Sequence, residues 1–212
     1  MKLIQDMNWV YWTGWSWFRG VAKASFNYEV VGKERLIDEA GAGALVVCNH
    51  VSFLDPPLIG IAHDNGVYFL ARKTLFKGFC AWLYPRWNSI PIDQENPDMS
   101  SLKNVIKMLK SGNRVVMFPE GERSWDGKML EAKAGVGLIV SKAQVPVIPC
   151  RLFGAHEALP RGASFWKRNQ VTLVVGEAIE FSEAELKAKG REAYQAIADK
   201  VVAEIAALEL PS

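Results

Sequence analysis

The sequence has few cysteines, no sustained apolar run and almost no net charge, and each shortage excludes something. Cys48, Cys80 and Cys150 lie far apart in apolar stretches. They have neither metal-ligand spacing nor the density of a disulfide framework, which points to a reducing compartment and away from a zinc site. Lys and Arg number 25 against 23 Asp and Glu, a net charge of +2, so no global charge argument speaks for a nucleic-acid partner. No repeat, linker or low-complexity tract interrupts the 212 residues, a length that suits one domain with a full core. Nor is there a run of about 20 apolar residues, the length a bilayer-spanning helix needs. The densest candidate, residues 7–18, is broken by Asn8, Thr13 and Ser16.

That segment is nevertheless unusual. Trp9, Tyr11, Trp12, Trp15, Trp17 and Phe18 crowd into a few helical turns, and Arg19 and Lys23 follow directly. Aromatic rings with polar tips and flanking cations are what a helix lying in the headgroup layer uses. Two other readings compete. Ala22-Lys23-Ala24 has the small-x-small form of a signal-peptidase site, although the tryptophans and the bracketing Asp6 and Arg19 do not suit one. The helix could also pack on its own domain or on a second subunit. The expectation is a membrane-surface helical segment over residues 1–25 and one domain over 26–212.

From residue 26 the pattern alternates. Short apolar or alternating stretches at 26–31, 44–48, 67–71, 88–92, 114–118, 145–152 and 171–175 read as strands. Helical patterns fall at 55–63, 74–84 (ended by Pro85), 96–110, 134–143 and 191–208. Half of the residues are hydrophobic and 23% are charged, a globular composition. The expected fold is therefore α/β, a single domain with a mostly parallel or mixed central sheet flanked by helices. Charge is locally uneven. Arg72, Lys73, Lys77 and Arg86 fall between Asp64 and Asp93 with no acidic residue among them, and Arg161, Lys167 and Arg168 lie likewise between Glu157 and Glu177. Such patches suit an anionic ligand or membrane, or are simply solvated faces.

Two stretches gather chemistry. In Val46-Val47-Cys48-Asn49-His50-Val51-Ser52-Phe53-Leu54-Asp55-Pro56 a buried strand runs into a loop and then a helix start. Open α/β sheets place ligands at such strand ends. His50 and Asp55 can act there as a general base and its orienting partner. In the plainer reading Asp55 caps the helix, Pro56 follows in its first turn, and His50 is a loop residue. In Phe118-Pro119-Glu120-Gly121-Glu122-Arg123-Ser124, Pro119 stops a strand and Gly121 allows a tight turn that presents Glu120, Arg123 and Ser124. Arg suits a phosphate. Glu120 could hold a substrate hydroxyl or lock the guanidinium, and a charged surface turn explains the stretch too.

Together these stretches resemble the glycerolipid acyltransferases, specifically the 1-acylglycerol-3-phosphate acyltransferase group. Asn49-His50-x4-Asp55 and Phe118 to Ser124 look like that family's first and second blocks. Asn88-Ser89-Ile90-Pro91-Ile92-Asp93 is similar to a further block, Val145-Pro146-Val147-Ile148-Pro149-Cys150 to the last, and Lys133-Ala134-Gly135 to the family's Lys-x-Gly. The resemblance covers roughly residues 30–152. It departs at Gln94, where the family usually has an arginine that helps bind the acceptor's phosphate.

The resemblance implies transfer of a fatty acyl group from acyl-CoA or acyl carrier protein to the sn-2 hydroxyl of lysophosphatidic acid, making phosphatidic acid. It implies His50 as base, Asp55 as its partner, and Glu120, Gly121, Arg123 and Ser124 at the acceptor headgroup. Lys133 is a candidate oxyanion donor. Phe76, Phe79, Trp82 and Leu83 could line an acyl-chain groove or belong to an ordinary core. No metal or bound cofactor is required, and the expected location is peripheral, on the cytoplasmic face of a membrane. With Gln94 neutral, either Arg86, Arg72 or Lys73 supplies the charge, or the acceptor is a rival, another lysolipid such as a lyso-aminolipid, or glycerol-3-phosphate. A thioesterase or lipase would use Cys48 or Ser52, but neither sits in the Gly-x-nucleophile-x-Gly turn that exposes such a residue. A non-catalytic lipid-binding module would leave the histidine and aspartate without a task.

Overall fold

A computed structural model describes residues 7–37, 39, 41–93 and 99–211. Gln94 and the expected helix opening at Asn96-Pro97-Asp98 lie outside the described residues. The elements run α1 (Trp9–Phe26), β1 (Glu29–Val31), β2 (Ala44–Cys48), α2 (Asp55–Ala62), β3 (Tyr68–Arg72), α3 (Phe79–Arg86), β4 (Ser89–Ile92) and α4 (Met99–Lys110). They continue with β5 (Arg114–Met117), α5 (Ala134–Ala143), β6 (Val147–Phe153), α6 (Ala155–Ala158), β7 (Thr172–Val175), α7 (Glu183–Lys187) and α8 (Arg191–Ala207). The strands form a seven-stranded sheet in the order β1-β7-β6-β2-β5-β3-β4. Every neighbouring pair is parallel except β6 with β7.

The centre of the sheet is apolar because β2 is covered on both faces. Val46 and Cys48 join one core with α1 and α2, while Leu45 and Val47 join the other with α4, α5 and α8. The crossing of α5 over α8 is so close that a Cβ on Gly137 would collide with the Tyr194 carbonyl oxygen. Since β2 lies between β5 and β6 and runs parallel to both, the loops leaving these three strands emerge at one edge.

Helix α1 is more than an appendage. Asn8 caps it by accepting from the Val10 and Tyr11 amides, and it ends at Asn27 in the left-handed region. Its residues Tyr11, Ala22 and Phe26 enter the core shared with α2, and Trp15 Nε1 donates to the His63 carbonyl. Thus it packs on its own domain along one side, while Trp9, Trp12 and Trp17 remain exposed. The expected strand from residue 26 begins only at Glu29, because the helix runs on through Phe26. Among the described residues no helix is long and apolar enough to cross a membrane.

The expected helix over 74–84 is also corrected. A 3-10 turn, Lys73–Leu75, and a break at Gly78 with φ +53° precede α3, which continues past Pro85 to Arg86. The helix accommodates the proline in its last turn, where Arg86 sends its guanidinium back to the Trp82 carbonyl.

Candidate active site

Where β2 ends, the chain is held by its neighbours. The Asn49 side chain accepts from the Leu152 amide at 2.8 Å and donates to the Leu152 carbonyl at 3.1 Å, adding a side-chain rung toward β6. On the β5 side, the His50 amide donates to Glu120 Oε1 at 2.7 Å, and the His50 carbonyl accepts from the Ser124 amide at 2.9 Å. The Asn49-His50 segment is therefore held from both flanking strands.

The ring is fixed by the following helix. Asp55 Oδ2 accepts from His50 Nδ1 at 2.8 Å, from the Val51 amide at 2.7 Å and from the Ser52 amide at 2.8 Å. The Val51 and Ser52 amides already make that oxygen an acceptor twice, which assigns the hydrogen between it and the ring to Nδ1. Neutral His50 then has its lone pair on Nε2. The imidazole stacks on Phe118 with centroids 4.0 Å apart and planes 17° apart, and its side chain is 17% exposed. A base with its lone pair held in one direction and within reach of solvent is what proton abstraction needs.

Asp55 therefore does not serve as the helix cap. The helix begins at Asp55 itself, Leu54 occupies the cap position without a side-chain bond, and the fully buried Asp55 carboxylate closes the loop before it.

Glu120 and Ser124 lie deeper than the rest of the turn. Both were expected at the acceptor headgroup, but both face inward. Glu120 is 1% exposed and its second oxygen accepts from the Leu130 amide at 2.8 Å. Both carboxylate oxygens are thus engaged within the protein, tying the turn after β5 to the His50 peptide. Burial raises its carboxyl to about 7; the Leu130 and His50 amides oppose the shift, and the nearby charge of Asp55 adds to it. Ser124 is fully buried, with its hydroxyl donating to Asp126.

Gly121, Arg123 and Lys133 form the outer rim. Gly121 adopts φ +75°, and a Cβ there would meet the Lys133 stem at 3.2 Å, so a side chain would be both strained and crowded. The Lys133 amide donates to the Pro119 carbonyl, while its side chain is exposed. Arg123 lies with its guanidinium 5.4 Å from the Phe53 ring. Burial and then the neighbouring Arg161 lower its pKa.

Two contributors had no role in the sequence reading. Asn49 stands inside the motif without an assigned task. Arg161, noted only as part of a basic patch, donates to the Arg123 carbonyl at 2.6 Å, reaches Glu122 at 3.2 Å and covers the Trp125 ring at 4.0 Å.

The nucleophiles a hydrolase would need are disabled. Cys48 is fully buried and burial pushes its thiol well above the ordinary range. Ser52 is also buried, and its hydroxyl donates to the Leu159 carbonyl at 2.7 Å. Among the described residues no three His, Cys, Asp or Glu side chains cluster as metal ligands would. Two strands along the same sheet edge, a cavity of about 500 Å³ is lined by Arg72, Lys73, Phe76, Lys77, Pro91 and Asp93.

A family model described as acyltransferase matches residues 27–152. A 1-acyl-sn-glycerol-3-phosphate acyltransferase of Bacillus subtilis (strain 168) is 29% identical over 168 residues, 77% of this chain and 79% of that protein. A chloroplastic relative of the same description from Brassica napus is 27% identical over 165 residues, 76% of this chain, and the chain spans 47% of its length. The crystal structure of PlsC from Thermotoga maritima, a 1-acyl-sn-glycerophosphate (LPA) acyltransferase, superposes with a TM-score of 0.68 at 27% identity. It is matched over 95% of this chain and 80% of that one.

Proposed function

The chain belongs to the acyltransferase family, and from that premise we propose that it acylates the sn-2 hydroxyl of lysophosphatidic acid, using His50 as general base. The acyl donor is a thioester, acyl-CoA or acyl carrier protein. The observation that carries this reading is the buried Asp55 oxygen 2.8 Å from His50 Nδ1, which leaves Nε2 as the free basic position.

A thioester is already activated, so the enzyme need supply no nucleophile. His50 Nε2 takes the acceptor's hydroxyl proton as that oxygen attacks the thioester carbonyl. The tetrahedral intermediate then collapses, the C–S bond breaks, and the departing thiolate receives the proton from the imidazolium. Asp55 stabilises that imidazolium and keeps Nδ1 protonated. A base so placed contributes roughly 10²–10⁴-fold. No metal or bound cofactor takes part. Charge on the carbonyl oxygen is met by backbone amides and by Lys133, whose side chain stands over the Gly121 turn. Arg123, on the rim beside Phe53, receives the acceptor's phosphate, and Glu120 and Ser124 hold the turn that presents it.

The acceptor and product both reside in a bilayer leaflet, and α1 exposes Trp9, Trp12 and Trp17 beside Arg19 and Lys23. The protein accordingly sits peripherally on the cytoplasmic face of a membrane, with α1 in the headgroup layer. Gln94 in place of the usual arginine favours a second reading of acceptor identity, another lysolipid such as a lyso-aminolipid, or glycerol-3-phosphate.

The test uses pure protein with labelled oleoyl-CoA, with and without lysophosphatidic acid. Label should pass into lipid only with acceptor present, and His50→Ala should slow the transfer roughly 10²–10⁴-fold. Fatty acid released without acceptor would indicate a hydrolase. An absence of turnover with every acceptor, across a lysolipid panel, would indicate a binding module.

A further inference from the structure

Helix α3 is rich in apolar residues and buries none of them. It contains Phe79, Trp82, Leu83 and Tyr84, and no residue of the helix is buried. Phe79 is 70% exposed and Trp82 42%, and their rings stack on each other 5.5 Å apart rather than on the domain. Leu75, just before it, is exposed too. Leaving such area in water forgoes about 25 cal/mol per Å². A contiguous patch of this kind marks a contact surface.

The patch adjoins α1. Asn8 Nδ2 donates to the Arg86 carbonyl at 2.7 Å, Trp87 Nε1 donates to the Val10 carbonyl at 3.3 Å, and the Trp87 ring packs against Gly14. The end of α3 is thereby fastened to the first turns of α1. Charge is matched as well. Residues 7–28 and 65–92 contain no Asp or Glu, but they hold Arg19, Lys23, Arg72, Lys73, Lys77 and Arg86. The Arg86 guanidinium lies 4.3 Å from the Trp82 ring and that of Arg19 lies 4.8 Å from Trp15. Indole rings carrying cations suit the boundary between acyl chains and anionic headgroups.

We propose that α3 is a second membrane-contact element, seated with α1 in the headgroup layer of an anionic phospholipid bilayer. The proposal rests on the reading of α1 as an interfacial helix and extends it to a segment some sixty residues further along the chain. A second point of attachment fixes the tilt of the domain about the long axis of α1, which a single helix lying in the surface leaves free. The cavity lined by Lys73, Phe76 and Lys77 stands at the foot of the α3 segment, so docking α3 holds that cavity beside the leaflet.

Cys80 provides the probe. It lies within α3 and is partly exposed, whereas Cys48 and Cys150 are buried, so an environment-sensitive NBD dye on Cys80 marks α3 in the folded protein. The labelled protein is mixed with phosphatidylcholine vesicles, with or without phosphatidylglycerol, and with brominated acyl chains as quencher. The expected result is a blue shift and bromine quenching that require the anionic lipid. In unlabelled protein, Phe79→Ser with Trp82→Ser should lower vesicle partitioning about tenfold or more. Sedimentation with vesicles while the dye stays in water would overturn the role of α3 and leave α1 standing. No sedimentation at all would overturn both. A dye shift given by monomeric lysolipid without vesicles would identify an acyl-chain groove and overturn the bilayer contact.

Discussion

Replacing Asp55 by asparagine separates its charge from its shape. Oδ2 serves three donors, two of which are the Val51 and Ser52 amides. In the asparagine variant the amide oxygen takes that place, because two backbone donors outweigh the alternative of turning the NH₂ toward the ring. Nδ1 then keeps its hydrogen and Nε2 its lone pair, but the imidazolium loses its counter-charge. The loss in kcat should thus fall below the roughly 10⁴-fold seen when such a change imposes the wrong tautomer. We expect about 10²–10³-fold, or about 3–4 kcal/mol of barrier, with KM for the lysolipid unchanged. Asp55 Oδ1 is buried without a partner, so the new NH₂ at that position is an unsatisfied donor that destabilises the fold by about 1–3 kcal/mol. Kinetics with labelled oleoyl-CoA and saturating acceptor measure the first effect, and urea denaturation the second. The decisive arm repeats the change in the His50→Ala background. Since Asp55 acts through the ring, it should cost nothing further there. Equal losses in both backgrounds would refute the assignment of Asp55 as the partner of His50.

Glu120 makes stability depend on pH in a defined direction. Its carboxyl is raised from 4.5 to about 7, so between those values the folded chain holds a proton that the unfolded chain has released. Stability from this group is full below 4.5, declines as pH rises to about 7, and is level above. The decline is at most about 3 kcal/mol, and Glu120→Gln should flatten it in denaturation midpoints taken across the window. Gly137→Ala should lower stability by about 1–3 kcal/mol or more through collision with Tyr194, without altering KM, as read by thermal melts beside kinetics. Arg161→Gln frees the Arg123 carbonyl and Glu122. It should raise the acceptor's KM about tenfold with kcat nearly intact, and Arg161→Lys should recover part of the loss.

The elements most legible in the sequence were those whose signal is local. Helix α5 falls where its apolar pattern and flanking turns place it, at Ala134–Ala143. Strand β2, five consecutive apolar residues, reads as buried because it is buried on both faces. Strand order is different in kind, since no local pattern says that β5 inserts between β2 and β3 or that β7 reverses. The same limit explains Glu120. An acidic residue in a Pro-Glu-Gly turn reads as a surface group, and only the fold reveals that amides at positions 50 and 130 turn it inward. At α3 the sequence carries the signal as well, since Gly78 breaks the helix that the apolar run alone suggests.

Sheet order also explains why the histidine and the outer rim answer to different constraints. His50 is held through its amide, its carbonyl, its ring nitrogen and its ring face, by Glu120, Ser124, Asp55 and Phe118 in turn. Asn49 adds the tie to β6. These anchors come from the ends of the strands on either side of β2 and from the first residue of α2, so the direction of the Nε2 lone pair follows from strand order itself. Every anchor is interior or stacked, and altering one disturbs the sheet edge. Arg123, Lys133, Trp125 and Arg161 stand outside that lattice, joined to it through backbone carbonyls and ring faces. On the proposed reading, a change of charge on the rim can therefore redirect the acceptor headgroup while His50 keeps its position. On the proposed reading acceptor choice and proton transfer are separable, and a lysolipid panel on rim variants should change KM ratios between acceptors while leaving the His50 dependence of kcat intact.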